Sequence, residues 1–256
     1  MLIKLQAAVP RHLTNNGGPF APSSPLRQFL DLPSAHSAAE VAAWRASVFD
    51  RISDVAQQSV SFTFEPQLAG VNIGLRYENG QLCLAVAEGE AVFGPGDLAS
   101  LAAIQNLPIR MSGRGIPKII EVHACLFVPR SALSAALRSH ALEALRALRN
   151  RQAAVELKCL AHEMAYSSEP VANTHFETMQ CLDRWGFEVS SRLAISEEAV
   201  REDRAFHQLC QDRASMEFSV VGGIYRLNYF HLRKRLASGA RPLPWAVARP
   251  FRLPDL

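Results

Sequence analysis

The chain of 256 residues carries 27 Lys and Arg against 24 Asp and Glu, for a formal net charge of +3, and 48% of its residues are hydrophobic. This composition is ordinary for a soluble globular protein. No apolar run reaches the roughly 18 residues that a membrane span needs, and the N-terminus lacks an adequate signal-peptide segment. The five cysteines are scattered and form no CxxC pair, which predicts reduced thiols, a cytoplasmic location and no metal site.

The first predicted element is a helix after a Pro- and Gly-rich beginning. Residues 1–24 are expected to be a flexible N-terminal lead-in, and residues 25–256 are expected to form one domain. Ser37 and Glu40 have the spacing of a capping box, so a helix is predicted to begin there and to continue through Ile52.

Strands and helices then alternate to the end of the chain. Asn79-Gly80 joins two apolar runs and predicts a hairpin, because both central residues of a type I′ turn need positive φ. A strand over residues 118–129 precedes a helix predicted from about Ser131 to Arg151, and a further helix is expected to stop at Gly186. Ser196 is predicted to cap another helix, and strands are predicted over 156–166, 216–228 and 243–251. This mixture predicts an α+β fold with largely antiparallel sheets packed against helices.

Positive charge is concentrated near the C-terminus. From Arg201 onward the chain has ten Arg or Lys and five Asp or Glu, a local excess of +5. Such a face suits the phosphates of nucleic acid, and an ordinary solvated surface explains it equally well. The residues predicted to contact nucleic acid are Arg226, Arg233, Lys234, Arg235 and Arg241.

Several separated motifs keep a common spacing. They are EPQLAG at 65–70, YENG at 77–80, AEGEAVFG at 87–94, IEVHACL at 120–126, LRNRQA at 148–153, VGGIYRLN at 221–228 and LPWAVARPF at 243–251. In this arrangement the chain resembles the adenylation (nucleotidyltransferase) domain of bacterial NAD-dependent DNA ligases, from about residue 25 to residue 252. The resemblance implies the nucleotidyltransferase fold.

The resemblance also implies a covalent step that this sequence lacks the residues to perform. In the family a lysine attacks the α-phosphorus of NAD and holds AMP, but Gln67 stands at that position, and an amide nitrogen is not nucleophilic. The loop's acid is Ala69, and the arginine of the next motif is Glu88, which repels phosphate. Cys125 replaces a glutamate, and Pro250 replaces the last lysine.

At three positions that face the nucleotide in the family, this chain has a residue of the same or similar chemistry. Glu65 matches a residue at the adenine edge, Tyr166 matches the stacking tyrosine, and Arg226 replaces a lysine. Together they predict a vestigial nucleotide pocket. Each also has a structural explanation, in which Glu65 pairs locally, Tyr166 packs in the core and Arg226 bridges to a nearby acid.

The first functional hypothesis is therefore a non-catalytic binding or scaffold protein in a DNA-related process, with a protein partner, with or without direct DNA contact, and without a membrane. The second is a sensor that binds NAD or AMP weakly without turnover and has no resident cofactor. The third is a nucleotidyltransferase or ligase with altered chemistry. The sequence has no four-cysteine zinc or helix-hairpin-helix pattern, so we expect it not to seal a nick unaided.

Overall fold

The computed structural model describes residue 26 and residues 32–52, 60–88, 92–94, 96–132, 137–150, 156–236 and 244–252. The predicted lead-in at 1–24 and Arg241 lie outside the described residues. Six helices are present in these ranges: α1 Ala38–Arg51, α2 Leu98–Leu101, α3 Leu137–Arg149, α4 His175–Arg184, α5 Ala199–Asp212 and α6 Phe230–Leu236. Among the described residues, no helix is both long and apolar enough to cross a membrane.

Nine strands form two antiparallel sheets within the described ranges. The strands are β1 Phe62–Leu68, β2 Val71–Glu78, β3 Gln81–Ala87, β4 Val92–Phe93, β5 Ile119–Phe127, β6 Lys158–Ser167, β7 Ala194–Ser196, β8 Val220–Leu227 and β9 Ala246–Pro250. One sheet has the order β7-β1-β8-β9 and the other has the order β4-β3-β2-β5-β6. The predicted α+β class with antiparallel sheets is confirmed.

Local sequence signals explain two of the element boundaries. Asn79 and Gly80 have φ of 51° and 75°, as the predicted type I′ hairpin between β2 and β3 requires. At the start of α1 the Ser37 hydroxyl accepts from the Glu40 backbone N–H at 3.2 Å. The Glu40 carboxylate in turn accepts from the His36 backbone N–H at 2.8 Å, so the first turn of the helix is capped from both sides.

The helix expected from about Ser131 is described from Leu137, after a 3-10 turn over residues 130–132, and residues 133–136 are not among those described. Another predicted helix start is wrong. The helix expected to be capped by Ser196 begins at Ala199, with Glu198 at the N-cap. Ser196 pairs with Phe62 as part of β7, so its backbone is committed to the sheet. Its hydroxyl instead accepts from the Glu198 backbone N–H at 3.0 Å.

The larger core lies against the five-stranded sheet, where Leu75, Val122 and Leu182 are fully buried between strands and helices. Tyr77 is also fully buried there, and its hydroxyl donates to the Pro108 carbonyl at 2.8 Å. Two smaller clusters pack α1, α5 and α6 against the four-stranded sheet. The two sheets therefore have separate cores, and the space between them contains the polar residues described below.

Tyr77→Phe tests the buried hydroxyl. The change leaves the Pro108 carbonyl without its donor, and we expect it to lower the free energy of unfolding by about 1 kcal/mol. For a chain of this size, that corresponds to a melting temperature lower by roughly 2–4 °C. Tyr166→Phe is the matched control because Tyr166 is 43% exposed, and it should melt as the unaltered protein does. Equal melting temperatures for the two variants would contradict the assignment.

Candidate functional site

A cavity of about 300 Å³ lies between the two sheets, and we call it the inner cavity. The four-stranded sheet contributes β1, the turn after it, and β8, while the five-stranded sheet contributes β5 and β6. The lining residues are Leu32, Glu65, Pro66, Gln67, Leu68, Ala69, Gly70, Asn72, Cys125, Leu160, His162, Ser190, Val221, Ile224 and Arg226.

Three of the predicted degenerate positions meet in this cavity. Gln67 is near the end of β1, Ala69 follows in the turn, and Cys125 lies on β5. The turn is tight because Gly70 lies directly against β5: a Cβ at that position would be 2.3 Å from the Leu126 carbonyl oxygen. The fold thus brings the turn against β5 and places an amide, a methyl group and a thiol around one space.

The other two predicted degenerate positions, Glu88 and Pro250, do not line the cavity. Glu88 accepts from the Asn72 side-chain amide at 3.0 Å, and Asn72 lines the cavity. Pro250 is in register with Gly222, which is in register with Gln67 on the next strand. Two strand spacings separate Gln67 from Pro250, a distance of roughly 10 Å.

Arg226 on β8 is the charged centre of the site and is completely buried. Its Nη2 is 2.7 Å from Glu65 Oε1 on β1, without the alignment of a hydrogen bond. Its Nη1 donates to Glu163 Oε2 at 3.0 Å and to the His162 carbonyl at 3.2 Å, both on β6. The guanidinium therefore connects the two sheets and lies between two carboxylates, which offset its charge.

Arg233 on α6 extends this cluster. Its Nε donates to the Leu227 carbonyl at 2.6 Å, and its Nη1 lies 3.7 Å from Glu163 Oε1. The guanidinium also covers the Trp245 ring, with 4.3 Å between its carbon and the ring centroid. Burial lowers the pKa of Arg233 to about 9, so it stays charged at neutral pH. Two arginines and two glutamates are thus buried together in a balanced set.

Burial also acts on Glu65. Loss of solvent raises the pKa of its carboxyl group to about 7, although the Arg226 charge opposes this shift. Glu65 therefore titrates near neutral pH inside the cavity wall. The structural alternative considered from sequence, local pairing of Glu65 and bridging of Arg226 to acids, is the arrangement found.

The aromatic ring that lines the inner cavity belongs to His162, which the sequence reasoning missed. Burial, followed by the nearby charge of Arg226, lowers the pKa of His162 well below its usual value, so the ring is neutral. Tyr166 is 43% exposed and lines a different cavity. The sequence signal that could have pointed to this residue was a histidine, His162, within an otherwise apolar strand. Register irregularities between β5 and β6 prevent counting the strand faces by simple alternation.

The predicted basic face is only partly present. Arg226 and Arg233 are buried in the ionic cluster, so the expectation that they lie on an exposed surface is wrong. Lys234 and Arg235 follow on α6 and are exposed. Arg241 lies outside the described residues.

Arg226→Met tests the ionic cluster. It leaves two buried carboxylates without their main counter-charge, and we expect a loss of about 3–5 kcal/mol in the free energy of unfolding. Arg192→Met is the matched control, because Arg192 pairs with Asp212 at 2.6 Å while 43% exposed. An exposed pair contributes at most about 1 kcal/mol. Similar losses in the two variants, measured by urea unfolding, would show that the cluster is not a central support.

Glu65→Gln tests the raised pKa. A carboxyl group whose pKa is raised on folding stabilises the protein below its unfolded pKa of 4.5, and this contribution is lost as pH rises through about 7. The free energy of unfolding of the protein, relative to that of Glu65→Gln, should therefore fall across this range and level off above it. Comparison with the variant cancels the titration of the histidines. A difference that stays constant from about pH 5 to pH 8 would contradict the shift.

The chain was compared with known proteins. Residues 20–253 match the model of the NAD-dependent DNA ligase adenylation domain. The DNA ligase of Hyphomonas neptunium is 30% identical over 252 residues, covering 92% of this chain and 36% of that protein. The DNA ligase of Marinobacter nauticus is 26% identical over 238 residues, covering 87% and 35%. The DNA ligase of Rhizobium etli is 26% identical over 247 residues, covering 91% and 34%.

This chain thus spans about a third of the length of these relatives. The family match covers both sheets and the inner cavity between them. The matched range agrees with the range of the resemblance, and the observed fold agrees with the fold that the resemblance implies. The chain belongs to the family of NAD-dependent DNA ligase adenylation domains.

Proposed function

We propose that this chain is a non-catalytic member of its family that acts as a binding or scaffold protein in a DNA-related process. The observation that carries the proposal is the position of Gln67 in the inner cavity, where the family resemblance calls for a nucleophilic lysine. Among the described residues, no lysine lines this cavity. An amide cannot form the phosphoramidate to AMP, so the covalent step has no starting group.

The electrostatics of the cavity support the same proposal. The cation nearest to Gln67 in the lining is Arg226, and two carboxylates already offset its charge. A nucleotide phosphate would have to displace Glu65 or Glu163 from Arg226 and leave a buried carboxylate without its partner. Glu88 behind Asn72 adds a further negative charge on this side. The site therefore disfavours the polyphosphate of NAD or ATP.

A weak nucleotide sensor is the second candidate, and the persistence of the inner cavity favours it. A volume of about 300 Å³ remains, with Glu65 and the His162 ring in its wall. An altered nucleotidyltransferase ranks last. The thiol of Cys125 and the hydroxyl of Ser190 are the classical nucleophiles left in the cavity lining, and both residues are buried.

The adenylation reaction tests the main proposal. After incubation with NAD or ATP and magnesium, intact-mass spectrometry should show no added AMP. Gln67→Lys alone should also remain unmodified, because Arg226 stays paired and Glu88 and Pro250 are unchanged. The DNA ligase of Hyphomonas neptunium, treated in parallel, is the positive control. An AMP adduct on the unaltered protein would overturn the proposal, and one on Gln67→Lys would show that the lysine was the decisive loss.

Calorimetry separates the scaffold from the sensor. One stacking contact contributes about 0.5–1.5 kcal/mol and one charge-assisted hydrogen bond about 1.5–3 kcal/mol, which the cost of association largely offsets. We therefore expect AMP and NAD to bind with millimolar dissociation constants or not at all. A low-micromolar constant that is lost in His162→Ala and kept in Tyr166→Ala would favour the sensor instead.

A further inference from the structure

A second cavity, the outer cavity, has a volume of about 720 Å³ and lies beside the inner one. Its walls are the C-terminal half of β6 with the loop that follows it, Thr178 of α4, α6, and Trp245 just before β9. The two cavities share a boundary, because Glu163 lines the outer cavity and its carboxylate bonds to Arg226 in the inner one. The degenerate positions of the ligase motifs do not line the outer cavity.

Four aromatic side chains line the outer cavity: Tyr166, Phe230, His231 and Trp245. Tyr166 is 43% exposed and is the aromatic residue among the exposed large hydrophobic side chains of the described residues. Trp245 also lines the cavity, but it is 8% exposed and the Arg233 guanidinium covers its ring. Phe230 is partly buried with the Arg233 guanidinium over its ring, and the exposed His231 ring packs edge-on against Tyr229. Tyr166 is therefore the exposed phenol ring available to stack on a ligand.

The lining of this cavity contains two cations, Arg233 and Lys234, and two acids, Glu163 and Glu169. Lys234 is exposed at the rim and has no acidic partner among the described residues. Arg233 forms part of the floor, and its buried Nη2 has no hydrogen-bond partner within the described part of the chain. The two acids of the lining are already engaged. Glu163 is paired with Arg226 and Arg233, and Glu169 accepts from the Lys118 backbone N–H at 3.0 Å.

We propose that the outer cavity binds a segment of single-stranded DNA, with an unpaired base stacked on Tyr166 and the adjoining phosphate at Lys234. An exposed ring beside an exposed cation is an arrangement by which proteins hold single strands without reading their sequence. A duplex keeps its bases stacked inside the helix, so they do not reach a ring within a concave cavity. Arg235, exposed next to Lys234 on α6, continues the positive surface along the strand.

Fluorescence anisotropy with a labelled oligo(dT) of about 12 nucleotides tests the proposal, a length within the range one such site covers. At about 50 mM salt the oligonucleotide should bind more tightly than a duplex of equal length. Tyr166→Ala should weaken binding by about 5- to 150-fold, the effect of one lost base stack. Tyr166→Phe keeps the ring and should bind normally. Lys234→Gln should reduce the log–log salt slope by about 0.7, the value for one single-strand phosphate contact.

Arg184→Gln is the charge-matched control for Lys234→Gln. Arg184 is exposed at the C-terminal end of α4, about 9 Å along the helix axis from Thr178, the α4 residue that lines the outer cavity. Loss of one positive charge there should leave the oligonucleotide affinity unchanged. A matching oligo(U) distinguishes DNA from RNA, and tighter binding of the RNA would overturn the choice of DNA.

Three results would overturn the proposal: no binding of the oligonucleotide, unchanged affinity in Tyr166→Ala, or preference for the duplex. The inference takes its choice of DNA from the proposed function, but the two fail separately. AMP transfer reports on the inner cavity, and oligonucleotide binding reports on the outer one.

Discussion

The guanidinium of Arg226 determines how the two sheets of this domain meet. It extends from β8 to Glu65 on the same sheet and to Glu163 and the His162 carbonyl on the other. A buried cation is costly unless charges and acceptors surround it, so β1, β6 and β8 are held in one relative position. Arg233, which lies on α6, helps to offset the charge of the Glu163 carboxylate. Each sheet packs against its own apolar core, and this ionic cluster determines the spacing between the two sheets.

The same cluster explains how the inner cavity keeps its shape without a bound ligand. Glu65 and Glu163 take the place that an anionic ligand would otherwise fill beside the cation. The protein therefore does not need a bound phosphate to offset the charge of Arg226. An inner wall whose charges are already balanced does not depend on a ligand for its stability.

Glu163 gives the two cavities a physical connection. One carboxylate oxygen bonds to Arg226 at the inner cavity and the other faces Arg233 at the outer cavity. A phosphate near Arg233 would compete for that guanidinium and change the balance of charge on Glu163. Such a contact network is the kind of shared element through which occupation of one site alters the other, since both ligands would act on the same carboxylate.

The sequence by itself determined the family, the α+β class, the Asn79-Gly80 hairpin, the Ser37 cap and the absence of a lysine at Gln67, because these depend on local backbone preference and on motif spacing. It also anticipated that Arg226 could bridge to an acid, but not which acids would surround it. Only the tertiary structure decided that Arg233 is buried while Lys234 is exposed, and that His162 rather than Tyr166 lines the inner cavity. The physical reason is that burial depends on how the sheets and α6 pack together. Irregular pairing between β5 and β6 also changes which side chains face the space between the two sheets. This change cannot be inferred from the neighbouring residues in the sequence.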